Sequence, residues 1–262
     1  MSEPPIFHLT RGQIPLLVSF PHSGTYIPPP RAARMTDVAR ILPDTDWHVP
    51  RLYAFLEAMG ASRIEATHSR YVGDLNRPPD DQEVDAGQKK TGHVPIDSFK
   101  GAPLDREGEA PGTDEIIARR KYWQPYHDAL AQELSRLKAV HGSVILWDAH
   151  SIESVLPELF EGRLPDLNLG TFDGKSCDAD IADAVFAAGK ASSFSAVLNA
   201  RFKGGYITRH YGNPGRGVHA VQLEMAQSIY MDEGPPFTYR PDRATKVTAA
   251  IRAMIAAALK EM

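Results

Sequence analysis

Short apolar segments alternate with segments of helical spacing along this chain. Short apolar or alternating runs are typical of strands, which predicts strands at 14–20, 62–67, 71–75, 143–147 and 218–223. The spacing or composition of apolar residues predicts helices at 46–59, 114–141, 179–188 and 243–262. Pro125 is expected to kink or split the second helix. Strands that alternate with helices predict an α/β layer fold with a largely parallel sheet.

The chain has 262 residues, an ordinary length for one α/β domain. Neither an internal repeat nor a linker divides it, so we expect a single domain over 1–262. Residues 78–112 are polar and rich in proline, glycine and aspartate. Loops longer than about 15 residues are usually functional lids or disordered segments. We therefore predict an active-site loop or lid at 78–112.

The composition argues against nucleic-acid-binding and membrane-spanning proteins. Lys and Arg number 29 against 33 Asp and Glu, a net charge of −4, and no basic run indicates nucleic-acid binding. No apolar stretch approaches the roughly 20 residues of a membrane span, and no signal peptide is evident. We expect a cytoplasmic protein without nucleic-acid or membrane partners, and its oligomeric state is not predicted. The single cysteine, Cys177, excludes an internal disulfide and is expected to be a plain thiol.

Three ionisable residues lie at or just after the ends of predicted strands. His22 follows the strand at 14–20, His150 follows 143–147, and Glu224 follows 218–223 directly. Ligands of open α/β sheets bind outside the carboxyl ends of the strands. If these strands are neighbours, the three side chains converge on one site.

Two histidines and a carboxylate are a ligand set for catalytic zinc, which keeps a fourth position for water. His22 and His150 would supply nitrogens, and Asp46 or Asp44 would supply the carboxylate. A separate carboxylate, Glu224, could then move the proton of the water. Each residue also has a structural alternative: the histidines as hydrogen-bonded side chains, the aspartates as helix N-caps, and the glutamate as an arginine partner.

Several arginines form a second group of candidate binding residues. Arg70 and Arg77 lie at the two ends of a predicted short strand, and the glycine-containing segment from Arg201 to Arg209 follows later. Because arginine forms bidentate pairs with carboxylates, these residues indicate a small dicarboxylate substrate. The alternative is that they pair with nearby acids such as Asp74.

Several sequence blocks resemble the N-formylglutamate amidohydrolase (N-formylglutamate deformylase) family. The resemblance runs from about residue 20 to 230 and rests on FPHSG (20–24), DLNR (74–77), YWQPYH (122–127), LWDAHS (146–151), RFKGGYITR (201–209) and VQLEM (221–225). It implies a single catalytic domain: a three-layer α/β/α sandwich around a mixed, largely parallel sheet, similar to the zinc carboxypeptidases.

The same resemblance implies an activity, the hydrolysis of N-formyl-L-glutamate to formate and L-glutamate in histidine degradation. The implied mechanism is attack of a zinc-bound water on the formyl carbon. Two alternatives remain open. One is a deacylase for another short-chain N-acyl acidic amino acid, and the other is a non-catalytic dicarboxylate-binding protein on the same scaffold.

The resemblance also assigns the metal site. It implies that His22 and His150 bind one zinc ion or another divalent metal, with Asp46 preferred over Asp44 as the third ligand. Glu224 is implied as the catalytic glutamate.

For the substrate, the resemblance implies that Asn76 and Arg77 hold one carboxylate. Arg70 or Arg209 is implied to bind the other carboxylate or to stabilise the oxyanion.

Overall fold

A mixed β-sheet forms the centre of the protein in the computed structural model, which describes residues 3–80 and 92–262. Its seven strands are β1 (Phe7–Thr10), β2 (Leu16–Phe20), β3 (Ser62–Ala66), β4 (Val144–Ile152), β5 (Leu167–Gly170), β6 (Ala196–Leu198) and β7 (Val218–Ala226). Their spatial order is β1-β3-β2-β4-β7-β5-β6. The central strands β3, β2, β4 and β7 are mutually parallel, whereas β1 and β5 run antiparallel to their inner neighbours. The predicted mixed, largely parallel sheet is confirmed.

Helices connect the strands. They are α1 (Pro29–Ala32), α2 (Asp37–Arg40), α3 (Val49–Leu52), α4 (Leu56–Met59), α5 (Thr113–Ala118), α6 (Arg120–His141), α7 (Ala179–Lys190), α8 (Tyr206–Tyr211) and α9 (Pro241–Lys260). None of these helices in the described ranges is long and apolar enough to cross a lipid bilayer.

Both faces of the sheet are covered by helices. Successive side chains of a strand point to opposite faces. Leu16 and Val18 accordingly pack with Ile181 of α7 and Ile251 of α9. Leu17 faces the other way, into a core shared with α6. The helix, sheet and helix layers confirm the predicted α/β/α sandwich.

The predicted helix at 46–59 is two one-turn helices, α3 and α4. His48 has a φ of 64°, a left-handed conformation that prevents a helix from running through it. Asp46 therefore caps no helix, and its side chain contacts His150 instead. The apolar residues of 46–59 have helical spacing because side chains such as Tyr53 are buried against the sheet, even though the helix is broken.

The predicted strand at 71–75 is irregular in the structure. The Val72 N–H bonds to the carbonyl of Ser69 in a turn, and the Asp74 N–H bonds to the carbonyl of His93. The backbone thus pairs with loops rather than with a strand. Its apolar residues are buried without strand pairing.

The predicted helix at 114–141 is divided, but not at Pro125. The break between α5 and α6 falls at Arg119, and Pro125 lies within α6. The missing proline N–H affects only the carbonyl of Lys121, in the first turn of α6. The helix therefore continues through the proline.

Strands β4 and β7 extend beyond their predicted ends. His150 lies within β4 and Glu224 lies within β7, rather than after these strands. The backbone ladder continues through these polar residues, with His150 opposite Glu224. Of the predicted loop at 78–112, residues 81–91 lie outside the described residues. Residues 92–112 form turns and isolated bridges.

Candidate active site

Two histidines and an aspartate from three separate segments meet at the carboxyl edge of the central strands. Asp46 Oδ2 lies 3.1 Å from His150 Nδ1 and 3.8 Å from His22 Nδ1. One ligand atom from each residue lies within 4.8 Å of the others, and all three side chains are buried. His22 and His150 are two of the three residues that the strand ends predicted to converge, and Asp46 comes from the loop before α3.

Local structure brings the two loop residues together. His22 lies in the turn that follows β2, and its carbonyl accepts the Asp46 N–H at 3.0 Å. Gly24 permits this turn to approach the neighbouring segment, because a Cβ there would lie 2.2 Å from the carbonyl oxygen of His68. The backbone thus fixes the carboxylate of Asp46 beside the imidazole of His22.

A carboxylate lies against the far nitrogen of each histidine. His22 Nε2 lies 2.7 Å from Asp74 Oδ1, and His150 Nε2 lies 3.0 Å from Asp148 Oδ2. An imidazole donates a proton to a carboxylate, so these contacts direct both Nδ1 atoms toward Asp46. Metal-binding histidines commonly donate their other N–H to a carboxylate in this way. The donor set of two nitrogens and one oxygen therefore fits a divalent metal such as zinc.

The charges around the histidines follow from these contacts. Burial lowers the pKa of His150, but Asp148 and Asp46 outweigh it and raise that pKa well above its usual value. Burial and Arg70 lower the pKa of His22. The effect is opposite at the two histidines: His150 holds its proton more tightly than a free imidazole, and His22 holds it less tightly.

Arg70 neutralises the carboxylate that holds His22. Its Nη2 donates to Asp74 Oδ2 at 2.6 Å, and its guanidinium lies 4.6 Å from the ring centre of Phe99. Burial opposes ionisation of Asp74, but Arg70 and His22 hold the pKa of Asp74 well below its usual range. The pairing of Arg70 with Asp74 was the structural alternative considered for this arginine.

Glu224 lies beside His150, directly opposite it in the parallel ladder of β4 and β7. Gln222 Nε2 donates to Glu224 Oε2 at 3.3 Å. Burial raises the pKa of Glu224 to about 8, with a further contribution from Asp46 and opposition from His150. A buried carboxyl group beside a candidate metal centre is suited to proton transfer.

Asp44 does not belong to the cluster. Its Oδ2 accepts hydrogen bonds from the Tyr71 hydroxyl at 2.7 Å and from the Phe99 N–H at 2.8 Å. These bonds hold the loops around the site. Asp46, two residues later, supplies the clustered carboxylate.

Asn76 and Arg77 lie next to the cluster. Asn76 Oδ1 accepts the Ile207 N–H at 2.7 Å, and Asn76 Nδ2 lies 3.1 Å from His150 Nε2. Arg77 Nη1 donates to the carbonyl of Asn76 at 2.9 Å. Arg209 Nε donates to the carbonyl of Gly204 at 2.6 Å.

The sequence did not identify two contributions to this site. Asp74 and Asp148 orient the histidines, and Gln222 connects Glu224 to the loop before α8 through the Gly205 N–H. One signal for Asp148 was available, because residues two apart on a strand share a face. Asp74 offered no comparable signal, since it comes from a separate loop.

The fold and site together define a class: an α/β/α sandwich with a buried two-histidine, one-carboxylate centre at the carboxyl edge of parallel strands. The chain belongs to the N-formylglutamate amidohydrolase family, whose model matches residues 14–231. The family predicted from the sequence blocks is therefore confirmed.

Curated relatives agree with this membership over nearly the whole chain. N-formylglutamate deformylase of Pseudomonas aeruginosa is 53% identical over 257 residues, covering 95% of this chain and 94% of the relative. N-formylglutamate deformylase of Pseudomonas putida is 49% identical over 258 residues, covering 97% and 94%.

Solved structures share the fold. The crystal structure of N-formylglutamate amidohydrolase from Ralstonia eutropha has a TM-score of 0.83 at 23% identity and covers 96% of both chains. A protein from Agrobacterium tumefaciens has a TM-score of 0.76 at 17% identity, covering 98% of this chain and 96% of the other.

Proposed function

We propose that this chain hydrolyses N-formyl-L-glutamate to formate and L-glutamate. The observation that carries the proposal is the pairing of His150 with Glu224 across β4 and β7, because it puts a candidate metal ligand and an acid/base group side by side. The two curated relatives, both named for this deformylation, support the choice of substrate.

We assign His22, Asp46 and His150 as the residues that hold a divalent metal, which we propose to be zinc, one per chain. The assignment is supported by their mutual distances and by the carboxylates behind both histidines. When bound, zinc supplies Lewis acidity that lowers the pKa of water and polarises a carbonyl group. The role of Asp74 and Asp148 is to accept the Nε2 protons of the two imidazoles and so aim both Nδ1 atoms at the centre.

Glu224 is the residue that moves the proton. Its carboxylate accepts a proton from the attacking water and then donates it to the nitrogen of the departing glutamate. A raised pKa suits both steps, because the group gives up and regains its proton near neutral pH. Gln222 restricts the carboxylate by donating to Oε2.

Arginines bind and orient the dianionic substrate. Burial lowers the pKa of Arg77; the positive charges of Arg70 and Arg209 add to this effect, and the carboxylates of Asp74 and Glu224 oppose it. A substrate carboxylate near Arg77 and Arg209 relieves their mutual repulsion. Arg70, already paired with Asp74, is left to stabilise the developing oxyanion with its remaining donors.

Asn76 positions this arginine group. Its side chain bonds to the Ile207 N–H, at the start of the helix that carries Arg209. Its carbonyl accepts from the guanidinium of Arg77. Asn76, which lies 3.1 Å from His150 Nε2, thereby connects the two arginines to the metal-site residues.

A substrate panel tests the proposed function. Purified protein should release formate from N-formyl-L-glutamate faster than from N-formyl-L-aspartate, and faster than it releases acetate from N-acetyl-L-glutamate. Preference for another short-chain N-acyl amino acid would show that this compound, rather than N-formyl-L-glutamate, is the substrate. Binding of N-formyl-L-glutamate without turnover of any member of the panel would support a non-catalytic binding protein.

A further inference from the structure

The loop between β6 and α8 carries an arginine that the proposed chemistry leaves without a role. Arg201 is half-buried in this loop, and its Nε is buried. Within the described ranges 3–80 and 92–262, this Nε has no hydrogen-bond partner. A buried cationic donor without an acceptor destabilises the folded protein. An anionic ligand that supplies the acceptor would remove this cost.

The other arginines of the site differ in this respect. Arg70 donates to the carboxylate of Asp74, and Arg209 Nε donates to the carbonyl of Gly204. Their donors thus hold protein groups in place. In the described ranges, Arg201 Nε and Arg31 Nη2 are both buried without a hydrogen-bond partner, and of the two only Arg201 belongs to the loop that reaches Gln222.

The tip of the loop lies near the end of β4. Asn199 N–H bonds to Leu169, and Lys203 accepts the Phe172 N–H, so the loop leaves and returns beside β5. Phe202, next to Arg201, packs in the apolar cluster that contains Ile152, Leu156 and Leu164. Ile152 is the last residue of β4, the strand that carries the metal-site histidine.

The other end of the loop contacts the site directly. The Gly205 N–H donates to Gln222 Oε1 at 2.6 Å, and Gln222 donates to Glu224. A Cβ at Gly205 would lie 2.4 Å from Asn76 Nδ2, so the backbone is packed against that side chain. Arg201 is four residues earlier, at most about 14 Å of extended chain away.

The chemistry of the substrate distinguishes the two carboxylate positions. The α-carboxylate is close to the formamide and suits Arg77, which lies beside the metal-site residues. The side-chain carboxylate is farther from the formyl carbon and requires a second cation, farther from the metal-site residues than Arg77. We propose that Arg201 binds this side-chain carboxylate and sets the preference for N-formylated acidic amino acids. This inference rests on the proposed function.

The test compares two substrates that differ only at the side-chain group. N-formyl-L-glutamate and its amide analogue N-formyl-L-glutamine are given to the metal-loaded wild type, to Arg201→Met and to Arg201→Lys. The matched control is Lys203→Met, since Lys203 is a cation of the same loop that pairs with Asp173 at 3.0 Å.

We expect Arg201→Met to lower kcat/KM for N-formyl-L-glutamate about 10- to 100-fold, mainly through KM, since a charged hydrogen bond is lost. The value for N-formyl-L-glutamine should change less than about threefold, as the amide carries no charge for Arg201 to bind. Arg201→Lys should recover part of the loss, and Lys203→Met should resemble the wild type.

An equal loss of kcat/KM on both substrates in Arg201→Met, or no loss on either, would overturn the inference. The proposed function would still stand, because the wild type turns over N-formyl-L-glutamate. Absence of wild-type formate release from N-formyl-L-glutamate would instead overturn the proposed function, and this inference with it. If Arg201→Met does not fold, the Arg201→Lys variant carries the same comparison. In that case an unchanged ratio of the two substrates contradicts the inference.

Discussion

His150 and Glu224 occupy directly opposed positions of the parallel strands β4 and β7. Register partners on adjacent parallel strands project from the same face of the sheet, so the two side chains share one side of the site. A shift of one residue would turn one of them to the opposite face. The ladder between the two longest strands therefore determines the geometry of the proposed proton transfer.

Replacing the acid/base group should stop the chemistry while leaving the metal site intact. Glu224→Gln keeps the shape of the side chain but cannot accept a proton, so kcat should fall by about 10²- to 10⁴-fold. Metal content, measured by atomic absorption, should remain equal to the wild type. The control is Glu153→Gln, which removes a partly exposed carboxylate paired with Lys100. Near-normal turnover by Glu224→Gln would refute its role.

The stability of metal-free protein should depend on pH through Glu224. Burial raises the pKa of this group from 4.5 to about 8, so the folded state binds its proton more tightly than the unfolded state. Its stabilising contribution is therefore present below pH 4.5 and is lost as the pH rises through about 8. The Tm of Glu224→Gln should increase relative to that of the chelated wild type between pH 5 and 9. A Tm difference independent of pH would contradict this account.

Loss of the carboxylate behind His22 should weaken metal binding. Asp74→Asn removes the charge that orients Nε2 at 2.7 Å, and metal affinity should fall about 10- to 100-fold. Competition with a chromogenic chelator measures the change. Asp173→Asn, at an exposed ion pair with Lys203, is the control. Equal affinities for both variants would exclude an orienting role for Asp74.

Arg77 should act mainly on substrate binding. Arg77→Ala removes a guanidinium beside the metal-site residues, and the KM for N-formyl-L-glutamate should rise about 10- to 100-fold, the loss of a charged hydrogen bond. The kcat should change much less, because the proton-transfer group remains. The informative comparison is with Arg216→Ala, which lies in the turn before β7. A fall in kcat at unchanged KM would assign Arg77 to the transition state instead.

Much of the fold could be predicted from the sequence because buried strands and amphipathic helices carry strong apolar periodicity. The run containing Leu16 and Val18, and the helical stripe of α6, are examples. The segment 46–59 was misassigned because burial against a sheet gives the same spacing in broken helices as in a continuous one. The left-handed φ of His48, which breaks the helix, leaves no trace in the pattern of apolar residues.

The site could be predicted where a residue follows a strand, as with His22, or lies two residues before the end of one, as with His150 and Glu224. Sequence alone did not separate Asp44 from Asp46, because both belong to one loop. The separation depends on long-range contacts: Asp44 accepts from the Tyr71 hydroxyl, whereas Asp46 is fixed by the carbonyl of His22.

Formate release from N-formyl-L-glutamate, measured before and after metal removal, decides whether this protein is a metal-dependent deformylase. We expect turnover by the purified protein, its loss after exhaustive chelation, and its return at one equivalent of zinc per chain. The Asp46→Asn variant should show neither tight zinc binding nor restored turnover. Formate release that persists in demonstrably metal-free protein would show that the reaction does not need the metal.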